Sequence, residues 1–366
     1  MSAVHSTLKE KTYSLKAKLE GHCGAILRLQ ATDDGRLLAS GGTDGTKVWD
    51  VGSLRELEAP GWSELRGATT ALVCVLRHGA WVPASQGHTV FEQISCNELY
   101  KPDDKPAEVT GLAFDAPTNR LAVCHRGGVV QLYTVNKAMA INSVYSFEVK
   151  KFVPRAVAFG QMDGDERLVL LFGLTGGHIH KFKGNKGTLV GDAWSVGMNI
   201  GDVAIDHKKG VLCMDDPSYG PNLVRLDDCV PLKAFRNQVT KSRRVRNVAF
   251  GPDCMTIITG SDNGVVNIFD RRSGKVVEKL RLHSHEWVQT VTAAECGGVS
   301  MIFAAKSRDM GTSNEIFVWA KKNKKTRFGT GSFICAVLLF IQLVFVVGVV
   351  VVAYEVTRGP RFAFFR

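Results

Sequence analysis

Four short apolar runs recur along the chain at nearly constant spacing. "GLAF" ends at Phe114, "AVAF" at Phe159, "DVAI" at Ile205 and "NVAF" at Phe250, in steps of 45, 46 and 45 residues. A period of this size constrains the fold more than any single motif. Each unit is one supersecondary piece that can bury its apolar face only against its neighbours. A second register runs beside the first, through Trp49 in "TKVWD", Phe91 in "HTVFE", Tyr133 in "VQLYT" and Phe182 in "HIHKF". It continues through Leu226 in "LVRLD", Phe269 in "VNIFD" and Trp319 in "IFVW", so seven units are expected. Between the registers lie an apolar stretch and a Gly-rich turn, as in "LLASGGTDGT" and "MTIITGSDNGV". Each reads as a strand, a tight turn needing positive φ, and another strand. With 45% hydrophobic residues and 37 Gly, the chain has material for a large core and many turns.

"GH" at Gly21 and His22, followed by "WD" at Trp49 and Asp50, resembles a WD-repeat unit of a β-propeller. "GSDNGVVNIFD" at 260–270 is similar, with Phe for Trp, and the whole chain resembles divergent fungal WD-repeat proteins that end in a membrane helix. The resemblance implies an all-β fold: a seven-bladed WD-type propeller followed by a single C-terminal transmembrane α-helix. It also implies a hydrogen-bonded set that locks a blade, formed in the first unit by His22, Ser40, Asp44 and Trp49. In the last unit, "LHSHEWVQTV" parallels "LEGHCGAILRL" and places His285 where His22 stands. "DGTKVWD" is one residue shorter than the family spacing. A one-residue change in a strand flips side-chain facing, so the turn must absorb it. Trp319 is followed almost at once by "KKNKKTR", which leaves the last unit one strand short. Residues 12–19, with Tyr13, Leu15, Ala17 and Leu19 alternating, should supply the missing outer strand, as the family closure does.

The C-terminal 46 residues read differently. Residues 333–354, bounded by Phe333 and Tyr354, contain no charge and only Gln342 as a strongly polar group. As a helix they would extend roughly 33 Å, enough for a hydrocarbon core of about 30 Å. Lys321, Lys322, Lys324, Lys325 and Arg327 precede the span, and Arg358, Arg361 and Arg366 with Glu355 follow it. This imbalance favours the propeller in the cytosol, and with only 12 residues after the span a tail anchor is expected. The expected organisation is a leader (1–12), the propeller (13–320), a basic linker (321–332), the membrane helix (333–354) and a short basic tail (355–366). A long apolar span suits the endoplasmic reticulum or later secretory membranes. The basic, Phe-rich "RGPRFAFFR" suits a mitochondrial or peroxisomal outer membrane instead. In the family the chain would leave the propeller at its bottom face, which the short linker would hold near the bilayer.

From Lys321 onward the chain has eight Lys/Arg against one Glu, so only +4 of the total +11 belongs to the first 320 residues. That gives no concentrated face for nucleic acid. Nine scattered cysteines without a CxxC read as free thiols in a reducing compartment. No enzyme, cofactor or metal is expected: GxxxxGK[ST] and GxSxG are absent, and the pairs His178/His180 and His283/His285 have no third ligand. What remains is surface. Two basic groups precede inner strands, Lys150, Lys151 and Arg155 in "VKKFVPR" and Arg243, Arg244 and Arg246 in "KSRRVR". Arg155 and Arg246 hold the same position in their units and are expected at the rim of the central channel. The plain reading is solvated charge; the sharper one is a docking face for an acidic segment of a cytosolic protein. The function expected is a non-enzymatic protein-interaction scaffold at the cytosolic face of a membrane. The alternative is a membrane-tethered nucleotide-exchange factor for a small GTPase in secretory coat assembly, which has a resembling layout. The first unit, however, lacks the extended Gly/Asn-rich insertion of that group.

Overall fold

Each repeat folds as an antiparallel sheet because its apolar runs are too short for helices and are separated by glycine turns. A computed structural model describes residues 12–57, 68–75, 80–85, 108–136, 140–240, 243–282, 286–307 and 314–322. Among them are six four-stranded sheets, where seven were expected. The second unit contributes a two-stranded sheet, Thr69–Val75 with Ala80–Ser85. Residues 86–107, including Phe91, lie outside the described residues.

The first strand of each repeat is the inner one. These strands are Ile26–Ala31, Thr69–Val75, Val109–Asp115, Pro154–Asp163, Asp202–Asp206, Val248–Phe250 and Val288–Cys296. Each contacts the next, and Val288–Cys296 returns to Ile26–Ala31, so the described residues form an all-β propeller around a central channel. The core lies between adjacent sheets. Leu38 and Trp49 of the first blade pack with Phe303 and Ile316 of the last, and Ile258 and Val266 pack with Ile302 and Phe317.

The second register lies on the third strands. Trp49 pairs with Leu38, Tyr133 with Leu121, Phe182 with Val169, Phe269 with Ile257 and Trp319 with Ile302. In the fifth unit the equivalent residue is Val224, paired with Leu212, and not Leu226. Both are apolar and of the same parity, so alternation alone does not choose between them.

The ring is clasped by its first strand. Ser14–His22 pairs antiparallel with Asn314–Lys322, matching Leu15 with Trp319 and Leu19 with Ile316. Leu19 is buried and Leu15 faces outward. Residues 323–366 lie outside the described residues. They contain Lys324, Lys325, Arg327 and the span from Phe333 to Tyr354, and His285 likewise lies outside. Among the described residues no helix is long and apolar enough to cross a membrane.

Candidate functional site

The first blade carries a closed hydrogen-bonded set. His22 Nδ1 lies 2.7 Å from Asp44 Oδ1, and His22 Nε2 lies 2.7 Å from Ser40 Oγ. Trp49 Nε1 donates to the same Ser40 oxygen at 2.8 Å. One proton arrangement satisfies every member: the Ser40 hydroxyl donates to Nε2, and Nδ1–H donates to the carboxylate. Burial pushes the Asp44 carboxyl up, but the His22 bond and the Cys23 amide outweigh it and hold it below the usual carboxylate range. A Cβ on Gly42 would sit 2.5 Å from Asp44 Oδ1, so glycine is needed for this approach.

The short spacing is absorbed in the turn. Ser40 pairs with Lys47, two residues before Trp49, just as Thr259 pairs with Asn267, two before Phe269. Facing is preserved because the first blade turns through Thr43 and Asp44 alone, between paired Gly42 and Gly45 with φ +107° at Gly45. Ser40→Ala should strand the Trp49 N–H and His22 Nε2 in a buried site. A loss of about 1–3 kcal/mol in urea denaturation is expected; an unchanged midpoint would mean that the set does not hold the blade.

The two basic groups divide. Lys150 and Lys151 are exposed in the turn before Pro154–Asp163, and Arg243 and Arg244 are exposed before Val248–Phe250. The Arg244 guanidinium lies over the Trp287 ring, 5.3 Å from its centre, within range of a cation–π attraction. Arg246 is not at the rim. It is wholly buried, with Nη1 3.1 Å from Asp262 Oδ1 and Nη2 3.4 Å from Asp215 Oδ1 and 3.0 Å from the Asp216 carbonyl. It ties the fifth blade to the sixth. Asp262 is held in turn by the Thr240 amide and hydroxyl, both at 2.8 Å.

Arg155 takes the other course because its strand begins with a bulge. The pairing of Pro154–Asp163 skips Arg155, and similar skips occur at Leu27, Thr70, Thr110 and Gln289. A bulge re-aims the extra side chain. Arg155, half-buried, donates from Nε to the Gly201 carbonyl of the next blade at 2.6 Å, and Thr70 likewise reaches the Val109 carbonyl at 2.8 Å. Arg28 Nη1 reaches Asp202 Oδ1 at 2.8 Å, joining the inner strands of the first and fifth blades across the channel. This pair lines a channel space of about 360 Å³ together with Leu72, Leu112, Asn247 and Val248. A wider space of about 540 Å³ at the opposite end is bordered by Asp33, Asp206, Lys208, Lys209, Asp253 and Glu295.

Sequence reasoning passed over Arg28, Asp202 and Asp215. Each was a charge inside an apolar run, "ILRLQ", "GDVAI" or "VLCMDD", and that incongruity was the available signal. No group of three or more His, Cys, Asp or Glu able to hold a metal ion occurs among the described residues.

Comparison with known proteins agrees with this geometry. Residues 13–50 and 229–270 match the family model of the WD domain, G-beta repeat. A 105-residue stretch is 28% identical to ribosome biogenesis protein ERB1 of Chaetomium thermophilum, covering 28% of this chain and 13% of that protein. The chain thus spans about an eighth of the length of the curated relative it matches. The first match contains the locked blade and the second the strand pair around Asp262 and Phe269, and together they support placing these repeats with the WD-repeat propellers.

Proposed function

We propose that this protein is a non-enzymatic interaction platform, a WD-type propeller that recruits cytosolic proteins at a membrane. The observation that supports it most is a pair of exposed basic segments preceding two of the inner strands. Lys150, Lys151, Arg243 and Arg244 are exposed in them, and Arg244 lies over the Trp287 ring. Positive charge presented on ordered loops steers acidic partners and fixes their orientation. In this reading the two-stranded sheet of the second unit is the inner half of a seventh blade. Residues 333–354 form the tail anchor, with the endoplasmic reticulum or a later secretory membrane as its site.

The test is proximity labelling from the intact, N-terminally tagged chain, compared with Arg243→Glu/Arg244→Glu. A set of cytosolic partners that disappears in the double variant is expected, together with a membrane-bound tag signal. An unchanged partner set removes the docking face, and a diffuse cytosolic signal removes the anchor. Nucleotide release from a small GTPase by the purified chain would replace the platform reading with an exchange factor.

A further inference from the structure

The mouth of the channel holds more positive charge than it neutralises. Two guanidinium groups, Arg28 and Arg155, lie near Asp202 there, and Arg28 bonds it. Asp202 accepts from Arg28 at Oδ1, 2.8 Å, and from the Val248 amide at Oδ2, 3.0 Å, so each of its oxygens has a partner. The other nearby acid, Glu108, is bonded by Arg126 at 2.9 Å. Arg155 uses Nε on the Gly201 carbonyl. Its two Nη groups make no hydrogen bond among the described residues. The bulge that aims Arg155 here is thus part of the fold, and its outer edge is an ordered, unused pair of donors. Burial, with Arg28 nearby, pulls the Arg155 pKa down from its ordinary value, which is the expected mark of a cation short of counter-charge.

We propose that this mouth is a carboxylate-binding site, in which the Nη edge of Arg155, beside Arg28, takes the acidic side chain of a protein segment. The proposal rests on the platform reading and names the chemistry its partner presents. Three observations select the ligand. The planar fork of arginine matches a carboxylate in two parallel bonds. Arg28, Arg155 and Asp202 together leave one positive charge, which a monoanion neutralises and a phosphate dianion would overshoot beside Asp202. The channel space of about 360 Å³, which Arg28 and Asp202 line, admits a side chain but no folded element. The exposed Lys150 and Lys151 lie in the turn just before the strand that carries Arg155 and supply the approach field.

Fluorescently labelled octaglutamate and octaglutamine peptides, titrated against the full chain in detergent micelles, test the site by anisotropy. Octaglutamate should bind and octaglutamine should not. Arg155→Gln should weaken binding by about tenfold or more, and Arg155→Lys, which keeps the charge and loses the fork, by several-fold. Asp202→Asn should strengthen binding, because the internal competitor is gone. Lys150→Ala/Lys151→Ala should change it by less than about threefold. If Arg155→Gln also melts earlier, the Lys and Asn variants, with opposite expected signs, carry the test. Failure of octaglutamate to bind, no effect at Arg155, or an equal loss from the lysine pair would overturn the site. None of these outcomes bears on partner capture through Arg243 and Arg244, which is read separately.

Discussion

Replacing Arg246 with Met is expected to destabilise the propeller by about 3–5 kcal/mol, a fall in Tm of roughly 10 °C. Arg246 is wholly buried, and so is its partner Asp215. Removing the cation leaves Asp215 and Asp262 in the seam between two blades without their counter-charge. Arg246→Lys should recover part of the loss, since one ammonium cannot meet three acceptors spread over Asp215, Asp216 and Asp262. A Tm for Arg246→Met within about 2 °C of wild type would remove the seam from the account of stability.

The same seam carries a pH dependence of definite sign. Burial pushes the Asp215 carboxyl up to about 7, against the downward pull of Arg246. The folded pKa is therefore above the unfolded value of 3.8. The folded state holds this proton more tightly than the unfolded chain does. The stabilisation is fully present below about pH 4 and is lost as pH rises towards 7. Asp215→Asn imitates the protonated acid. Urea midpoints of wild type minus those of the variant should fall between pH 5 and pH 8, and a flat difference would contradict the assignment.

Removal of residues 1–22 is the second large effect. The deletion takes away the whole pairing of Ser14–His22 with Asn314–Lys322, the buried Leu19, and His22 of the blade lock. Burial of Leu19 alone is worth about 2–3 kcal/mol. The greater consequence is an unpaired edge along Asn314–Lys322, open to pairing with another chain. The truncated protein should aggregate on refolding, and a synthetic peptide of residues 12–24 should restore solubility and the melting transition. A soluble, monomeric truncation product with the wild-type Tm would show that the clasp does not hold the ring.

Much of the fold was legible because its signals are local. The period of about 45 residues, the apolar triplets and the aromatic register each lie within one unit, and they placed nearly every inner and third strand. Leu226 was misplaced by two positions because parity is all that alternation reports, and the count of seven met six complete blades. The lock was legible residue by residue, since His22, Ser40, Asp44 and Trp49 fall within 28 positions of one another. The basic residues were legible as a group but not one by one.

What the sequence alone determined, then, is the repeated strand pattern, because hydrophobic periodicity and glycine turns act over a few neighbouring residues. What only the tertiary structure decided is the fate of each charge. Arg155 turns into the mouth because a bulge breaks the two-residue alternation. Arg246 disappears into a seam because its carboxylates arrive from 16 and 31 residues away. Arg28 meets Asp202 across 174 residues of chain, which only closure of the ring brings within reach.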